Sequence, residues 1–311
     1  MRQLRKSALL LLFILAGCSG VKLNKTALKM MVAATNRLST ELFYADSCEH
    51  RTAVPYVENG TGRQVVDIYY ASEKRKDAVL IDIHGGFYVG GDRRNNRRFA
   101  SVFLKEGYDV VLLEYRLCDG KVDVQTELED CAAALDFLTV HAGELGLNRD
   151  RMFLTGDSAG GHLALYMAEA GEDRTLPIHP EAFVAKGALL NCPAYDFASF
   201  GSTDVFTEGA LELFIGPRWK DKEWMEAMSP RTFIGRYTGP LFVSTCTKDF
   251  IREQSLFLQA DCADRDQFTF VDISSEDKNV GHVHNVIHPS IPASQEVNAG
   301  MVAFMDAIIG D

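Results

Sequence analysis

Four short stretches of this 311-residue chain carry side chains able to make and break covalent bonds. In one of them, G-D-S-A-G-G-H-L at positions 156–163, Ser158 is a hydroxyl fenced by residues with little or no side chain. That crowding suits a nucleophile on a sharp strand-to-helix turn, where a larger neighbour would collide with the backbone. It also suits an ordinary glycine-rich turn, so G-x-S-x-G alone decides nothing. A serine that attacks an acyl carbon needs a base within reach, an acid to orient the base, and amide donors for the oxygen that gains charge. The other three stretches offer these parts. Lys248-Asp249 supplies an acid, Gly281-His282-Val283-His284 two histidines, and His84-Gly85-Gly86-Phe87-Tyr88 a glycine-rich run of backbone amides.

For these groups to meet, the fold must bring four distant segments to one edge. The hydrophobic pattern does this. Alternating runs at 52–57 and 65–70, separated by a segment containing Asn59-Gly60, predict a hairpin. Six short apolar runs follow, at 78–83, 110–113, 152–154, 188–190, 241–243 and 268–273. Runs that are apolar on both faces suit a mostly parallel sheet covered by helices on either side. Helical stretches are expected at 128–138, 163–167, 255–263 and 297–309, giving an α/β domain with eight strands over residues 51–311. In such sheets ligands bind beyond the carboxyl ends of the strands. The chemistry-bearing stretches sit at or beyond the ends of the runs finishing at 83, 154, 243 and 273. Serine, acid and histidine also occur in the chain order that a nucleophile after the fifth strand, an acid after the seventh and a base after the eighth would give. Between two strands, residues 195–229 hold several Phe and both Trp, enough for a lid-like wall over a pocket.

The motifs together resemble the α/β-hydrolase fold esterases of the hormone-sensitive-lipase-like group. The resemblance rests on I-H-G-G-F-Y at 83–88, E-Y-R-L at 114–117, G-D-S-A-G-G-H-L at 156–163, S-P at 229–230, K-D at 248–249 and G-H-V-H at 281–284. It implies ester hydrolysis through Ser158, with Asp249 and His282 as acid and base. It further implies an oxyanion hole made by the amides of Gly85, Gly86, Phe87 and Ala159. In the group, the catalytic histidine is often followed two positions later by an aromatic, which aligns His282 with the base and His284 with that aromatic. The chain departs from the group at Phe87, where a third small residue is usual, and at Cys118-Asp119-Gly120, where Ala-Pro-Glu is usual.

Several residues compete for these roles. His284 or His288 is expected as polar lining of the rim, His84 as a shaper of the oxyanion loop, and His162 as structural. Asp157 is expected to point away from the site, and Asp272 lies within a strand. The basic run Arg93 to Arg98 is read as a solvated helix face.

Composition limits the alternatives. The chain is 47% hydrophobic and 24% charged, an ordinary globular make-up, with a formal net charge of −11. It opens on a basic segment, a short apolar run and Leu15-Ala16-Gly17-Cys18, which resembles the lipobox of bacterial lipoproteins. Residues 1–17 are thus expected to be a signal peptide, with Cys18 lipidated and residues 18–50 forming anchor, tether and an N-terminal helix. This places the protein on a membrane outside the cytoplasm, in a bacterial cell envelope. Cleavage removes Arg2, Arg5 and Lys6 and no acid, taking the charge to −14 and arguing against nucleic acid as a partner. The six cysteines after Cys18 fit no zinc spacing, and no dinucleotide or phosphate-loop fingerprint occurs, so no metal or cofactor is expected. The expected partner is a small-molecule or carbohydrate ester. The competing functions are a serine peptidase and a non-catalytic binding lipoprotein on the same scaffold.

Overall fold

The computed structural model of the protein describes residues 43–200 and 206–310, together with Thr26. The expected signal peptide, Cys18 and most of the N-terminal helix therefore lie outside the described residues.

The eight expected strands form one sheet in the order β1-β2-β4-β3-β5-β6-β7-β8. The first two, β1 (His50–Pro55) and β2 (Val65–Tyr69), are antiparallel. The turn between them uses the expected residues, with Asn59 at φ 57° and the Gly60 amide donating to the Val57 carbonyl. Strand β2 is also antiparallel to β4 (Asp109–Leu113). From there the pairing is parallel through β3 (Val79–Ile83), β5 (Met152–Asp157), β6 (Ala188–Asn191), β7 (Leu241–Cys246) and β8 (Phe268–Ile273).

Alternation within the strands assigns the two faces. Val79, Ile81 and Ile83 of β3 pack in one apolar cluster, while Leu80 packs in the other; Val111 and Leu113 of β4 join the first, Val110 and Leu112 the second. Helices α2 (Val124–Val140), α3 (Ala159–Glu172) and α4 (Arg252–Asp261) cover the first face. Helices α1 (Arg97–Lys105) and α5 (Pro292–Ile309) cover the second, through residues such as Phe99, Phe103, Met301 and Met305. Burial on both faces explains why the strands read as continuous apolar runs rather than as alternation.

Two differences from the sequence reading bear on the site. Strand β5 continues past its apolar run through Thr155, Gly156 and Asp157, because the buried Thr155 hydroxyl donates to the Leu189 carbonyl at 2.7 Å and so tolerates burial. The basic run 93–98 is not simply a solvated face. Arg93 is buried, with ion pairs to Asp67 at 2.9 Å and Glu114 at 3.4 Å, and Arg97 pairs with Asp46 at 2.7 Å. Asn96 is buried as well and makes the hydrogen bonds described below.

Candidate active site

Ser158 follows β5 directly and takes φ 56°, ψ −116°, a conformation disfavoured for a residue with a Cβ. The glycines beside it make the turn achievable. A Cβ on Gly156 would stand 2.3 Å from the Gly160 carbonyl oxygen, and one on Gly160 would stand 1.9 Å from that of Ile83. The Ser158 amide donates to the Asn191 carbonyl at 2.9 Å, and α3 begins at the next residue. The serine thus sits at a helix N-terminus, where the positive end of the peptide dipoles favours developing negative charge.

Asp249 lies in the turn after β7. Its Oδ1 accepts from the Ile251 amide at 3.0 Å, its Oδ2 accepts from the Thr245 hydroxyl at 3.0 Å, and its Oδ1 is 2.6 Å from His282 Nδ1. An ionised carboxylate offers only acceptors, so Nδ1 carries the proton and Nε2 presents its lone pair. The His282 ring packs on Phe250, centroids 4.4 Å apart, and Phe250 lines a small apolar pocket together with Ser158. That pocket has a volume of about 20 Å³ and is walled by Phe87, Phe200, Phe206 and Phe214. Three of these walls come from the 195–229 segment, of which residues 201–205 are outside the described residues. A wider cleft of about 420 Å³ runs along α2, lined by Gln125, Glu129, Asp136 and His179, and touches none of the four chemical stretches.

The oxyanion loop folds back sharply. Gly86 has φ 138°, and a Cβ there would stand 2.1 Å from the Gly90 carbonyl oxygen. Phe87 and Tyr88 follow at φ 55° and 61°. Four amides are expected to face the substrate, but the Gly85 N–H is already committed: it donates to Asp157 Oδ1 at 3.0 Å. Among the described residues, the Gly86, Phe87 and Ala159 amides make no hydrogen bond, so these three are available to donate to a bound oxygen. Asp157 is accordingly not the partner of His282, which meets Asp249. The Asp157 carboxylate lies under the loop, accepting from the Gly85 amide and from the Asn96 side chain, and comes so near Gly85 that a Cβ there would collide with it.

Behind the loop, His84 is fully buried, 3.3 Å from Glu114 and stacked on Tyr115 with centroids 4.5 Å apart. Burial, the largest influence, would lower its pKa, but the Glu114 carboxylate overrides this and raises it. Glu114 is pushed down in turn: burial opposes ionisation, and His84 and Arg63 outweigh it. This buried pair holds the loop's first residue, and the Tyr115 hydroxyl also donates to the His84 carbonyl at 2.6 Å. His162 is structural, donating from Nε2 to the Met228 carbonyl at 2.7 Å. Burial holds its pKa down at about 4.

His284 is not at the rim. It is buried and hydrogen-bonded to the Ser294 hydroxyl at 2.9 Å, and burial lowers its pKa to about 4. His288 is half-buried and does not line the pocket. The left-handed turn at Val283, φ 52°, precedes His284, whose ring meets Ser294 of α5. Asp272, within β8, pairs with Arg252 away from the pocket.

The sequence places Cys192 at the end of an apolar run as a buried thiol, which it is, but gives no role in the site to it or to Asn191, the last residue of β6. The strand-end argument that found the other segments applies to them equally. It skipped them because neither residue type is a usual catalytic group on its own.

With this geometry in view, similarity to known proteins decides the family. A family profile described as BD-FAE matches residues 66–260. The chain belongs to that family. It has the α/β-hydrolase fold, and its motifs resemble those of the hormone-sensitive-lipase-like esterases. Lipase 2 of Moraxella sp. (strain TA144) is 36% identical over 94 residues, 30% of this chain and 22% of that protein. Hormone-sensitive lipase of Homo sapiens is 28% identical over 95 residues, 30% of this chain and 9% of that one. The matches thus span less than a quarter of either relative's length. Esterase B from Lactobacillus Rhamnosis superposes with a TM-score of 0.80 at 23% identity, covering 92% of this chain and 94% of that one. Its form with a tributyrin phosphonate gives a TM-score of 0.79 at 24% identity, covering 93% and 97%. These structures share the fold.

Proposed function

We propose that the protein is a serine carboxylic-ester hydrolase that prefers short acyl groups. The observation that carries this reading is the 2.6 Å contact between His282 Nδ1 and Asp249 Oδ1, in a histidine that packs on the same phenylalanine that lines the Ser158 pocket. Ser158 Oγ attacks the ester carbonyl carbon while His282 Nε2 takes its proton. Asp249 stabilises the resulting imidazolium. The carbonyl oxygen gains negative charge and is received by the amides of Gly86, Phe87 and Ala159. Collapse expels the alcohol, protonated by His282, and leaves an acyl-Ser158. Water, deprotonated by the same histidine, then releases the acid and regenerates the serine.

The pocket beside Ser158 sets the acyl size. At about 20 Å³ it is a small pocket, which favours a short acyl group such as acetyl. The tributyrin phosphonate on Esterase B supports an acyl ester as the substrate class, since that protein shares the fold. The test is turnover of acetyl, butyryl and hexanoyl esters, with acetylated sugars beside them, by wild type and Ser158→Ala. Wild type should favour the acetyl esters, and Ser158→Ala should lose about a millionfold in kcat while keeping its melting temperature. A folded wild type that turns over none of them, and whose Ser158 is not labelled by a phosphonate, would instead be a binding protein.

The signal-like N-terminus supports a second part of the reading, that Cys18 carries lipid and tethers the enzyme outside the cytoplasm. Intact-mass measurement of protein from a bacterial host should show cleavage before Cys18 with added acyl mass. Cys18→Ser should stay unprocessed or leave the membrane fraction.

A further inference from the structure

Strand β6 is short and carries none of Ser158, Asp249 and His282, yet the segments that bear them all converge on its last residue and the one after it. The Ser158 amide donates to the Asn191 carbonyl at 2.9 Å. The Asn285 side-chain amide, three positions beyond His282, donates to Asn191 Oδ1 at 2.6 Å. The Val283 amide, next to His282, donates to Cys192 Sγ at 3.3 Å. Cys192 Sγ, an Asp249 carboxylate oxygen and a His282 ring nitrogen all lie within 4.8 Å of one another.

The backbone shows that these ties hold something that would otherwise relax. Cys192 takes φ 47° and Val283 takes φ 52°. The left-handed region is unfavourable for any residue with a Cβ and worst for a β-branched one, and such conformers persist only where surrounding contacts fix them. At Val283 those contacts include the sulfur of Cys192. The thiol suits both neighbours. It accepts the Val283 N–H, and its own proton can be shared with the Asp249 carboxylate, since burial first and Asp249 second keep it un-ionised.

We propose that Asn191 and Cys192 are positioning residues: they fix the His282 loop in the place where its ring meets Asp249 and faces Ser158. This rests on the reading of the protein as an ester hydrolase. Misplacing a base by an ångström typically costs about a hundredfold in rate without weakening substrate binding. A cysteine that merely fills the core would, when truncated, lower stability and leave kcat per folded molecule unchanged.

The experiment compares wild type, Cys192→Ala and Cys192→Ser on an acetyl ester, measuring kcat, KM, melting temperature and the rate of phosphonate labelling at Ser158. Cys192→Ala should lose about tenfold or more in both kcat and labelling rate with KM nearly unchanged, and Cys192→Ser, which can still accept and donate, should recover most of the loss. The proposal is overturned if Cys192→Ala keeps wild-type kcat, or if Cys192→Ser is no better than alanine. Should Cys192→Ala fail to fold, Asn285→Ala cuts the second tie and is expected to show the same fall in kcat at constant KM; wild-type kcat there overturns the proposal. A wild type with no turnover and no labelling overturns the hydrolase reading and this one with it. An active wild type with an unaffected Cys192→Ala overturns this one alone.

Discussion

At the scale of single residues, the site depends on atoms that are absent. Gly86 lets the loop pass within 2.1 Å of where a Cβ would meet the Gly90 carbonyl oxygen, at a φ of 138° that other residues avoid. Gly86→Val should displace the Gly86 and Phe87 amides while leaving Ser158 and His282 in place. We expect kcat for acetyl esters to fall on the order of a hundredfold, comparable to removal of one oxyanion donor, with Ser158 still labelled by a small phosphonate. Unchanged kcat in this variant would mean that the donors lie elsewhere. Gly85 tells a related story from the other side: its amide is spent on Asp157, so of the loop's glycines only Gly86 has an amide free to serve substrate.

At the scale of elements, the pocket beside Ser158 is a meeting of three segments far apart in the chain. Phe87 from the oxyanion loop stacks on Phe250 after β7, centroids 5.8 Å apart, and meets Phe206 edge-on at 6.4 Å. Phe206 in turn packs against Phe214 of the helix Glu208–Phe214 at 4.9 Å. Phe87 occupies the place where the resemblance calls for a small residue. That substitution, keeping the amide but adding a ring, narrows the pocket to its present volume. Phe87→Ala and Phe206→Ala should each open room for a longer chain. The ratio of kcat/KM for butyryl over acetyl esters is expected to rise about tenfold or more, since each added methylene buried in an apolar pocket is worth about 0.8 kcal/mol. A ratio that stays at the wild-type value in both variants would place acyl recognition outside this pocket.

At the scale of the whole molecule, the cost of building the site appears as pH dependence. Asp82 on β3 is fully buried; burial first and the neighbouring Asp157 second push its pKa up to about 8, against the hydrogen bond from Asn96 and the attraction of His84. Its unfolded value is near 3.8, so between about 4 and 8 the folded state holds a proton that the unfolded state has lost. Stability contributed by this group is present below its unfolded pKa and falls as pH rises toward 8. Glu127 and Glu169, raised by burial, act in the same direction. His162 and His284, held near 4 against an unfolded 6.5, act oppositely, but only between those two values, where the unfolded state binds the extra proton. Above 6.5 the acids are left unopposed by them. Melting temperature should therefore drop from pH 6.5 to pH 8, and Asp82→Asn, which keeps an acceptor for Asn96, should drop less. One buried acid accounts for about 1.4 kcal/mol per pH unit in this window. An identical drop in Asp82→Asn and wild type would remove Asp82 from the account.

The sequence by itself determined the sheet and the identity of the chemical groups. Strands buried on both faces are apolar at most positions, so 78–83 and 110–113 stand out in the sequence even though 78–83 carries one buried acid, Asp82. Glycines at 86 and 156 are required by local backbone sterics, which is why the motifs around Ser158 and His84 were readable as turns, whereas Gly160 is required by the approach of Ile83 on β3. What the tertiary structure decided is which way polar side chains and amides face. Asp157 and the Gly85 amide satisfy each other under the loop, Arg93 turns inward to Asp67 and Glu114, and His284 is buried against Ser294 while His282 two residues earlier meets Asp249. A buried polar group must find a partner, and the partner comes from another segment 10 to 94 positions away, as Ser294 does for His284 and Asn191 for Asn285. Local sequence carries the demand for a partner but not its address, and the address exists only once the chain has folded.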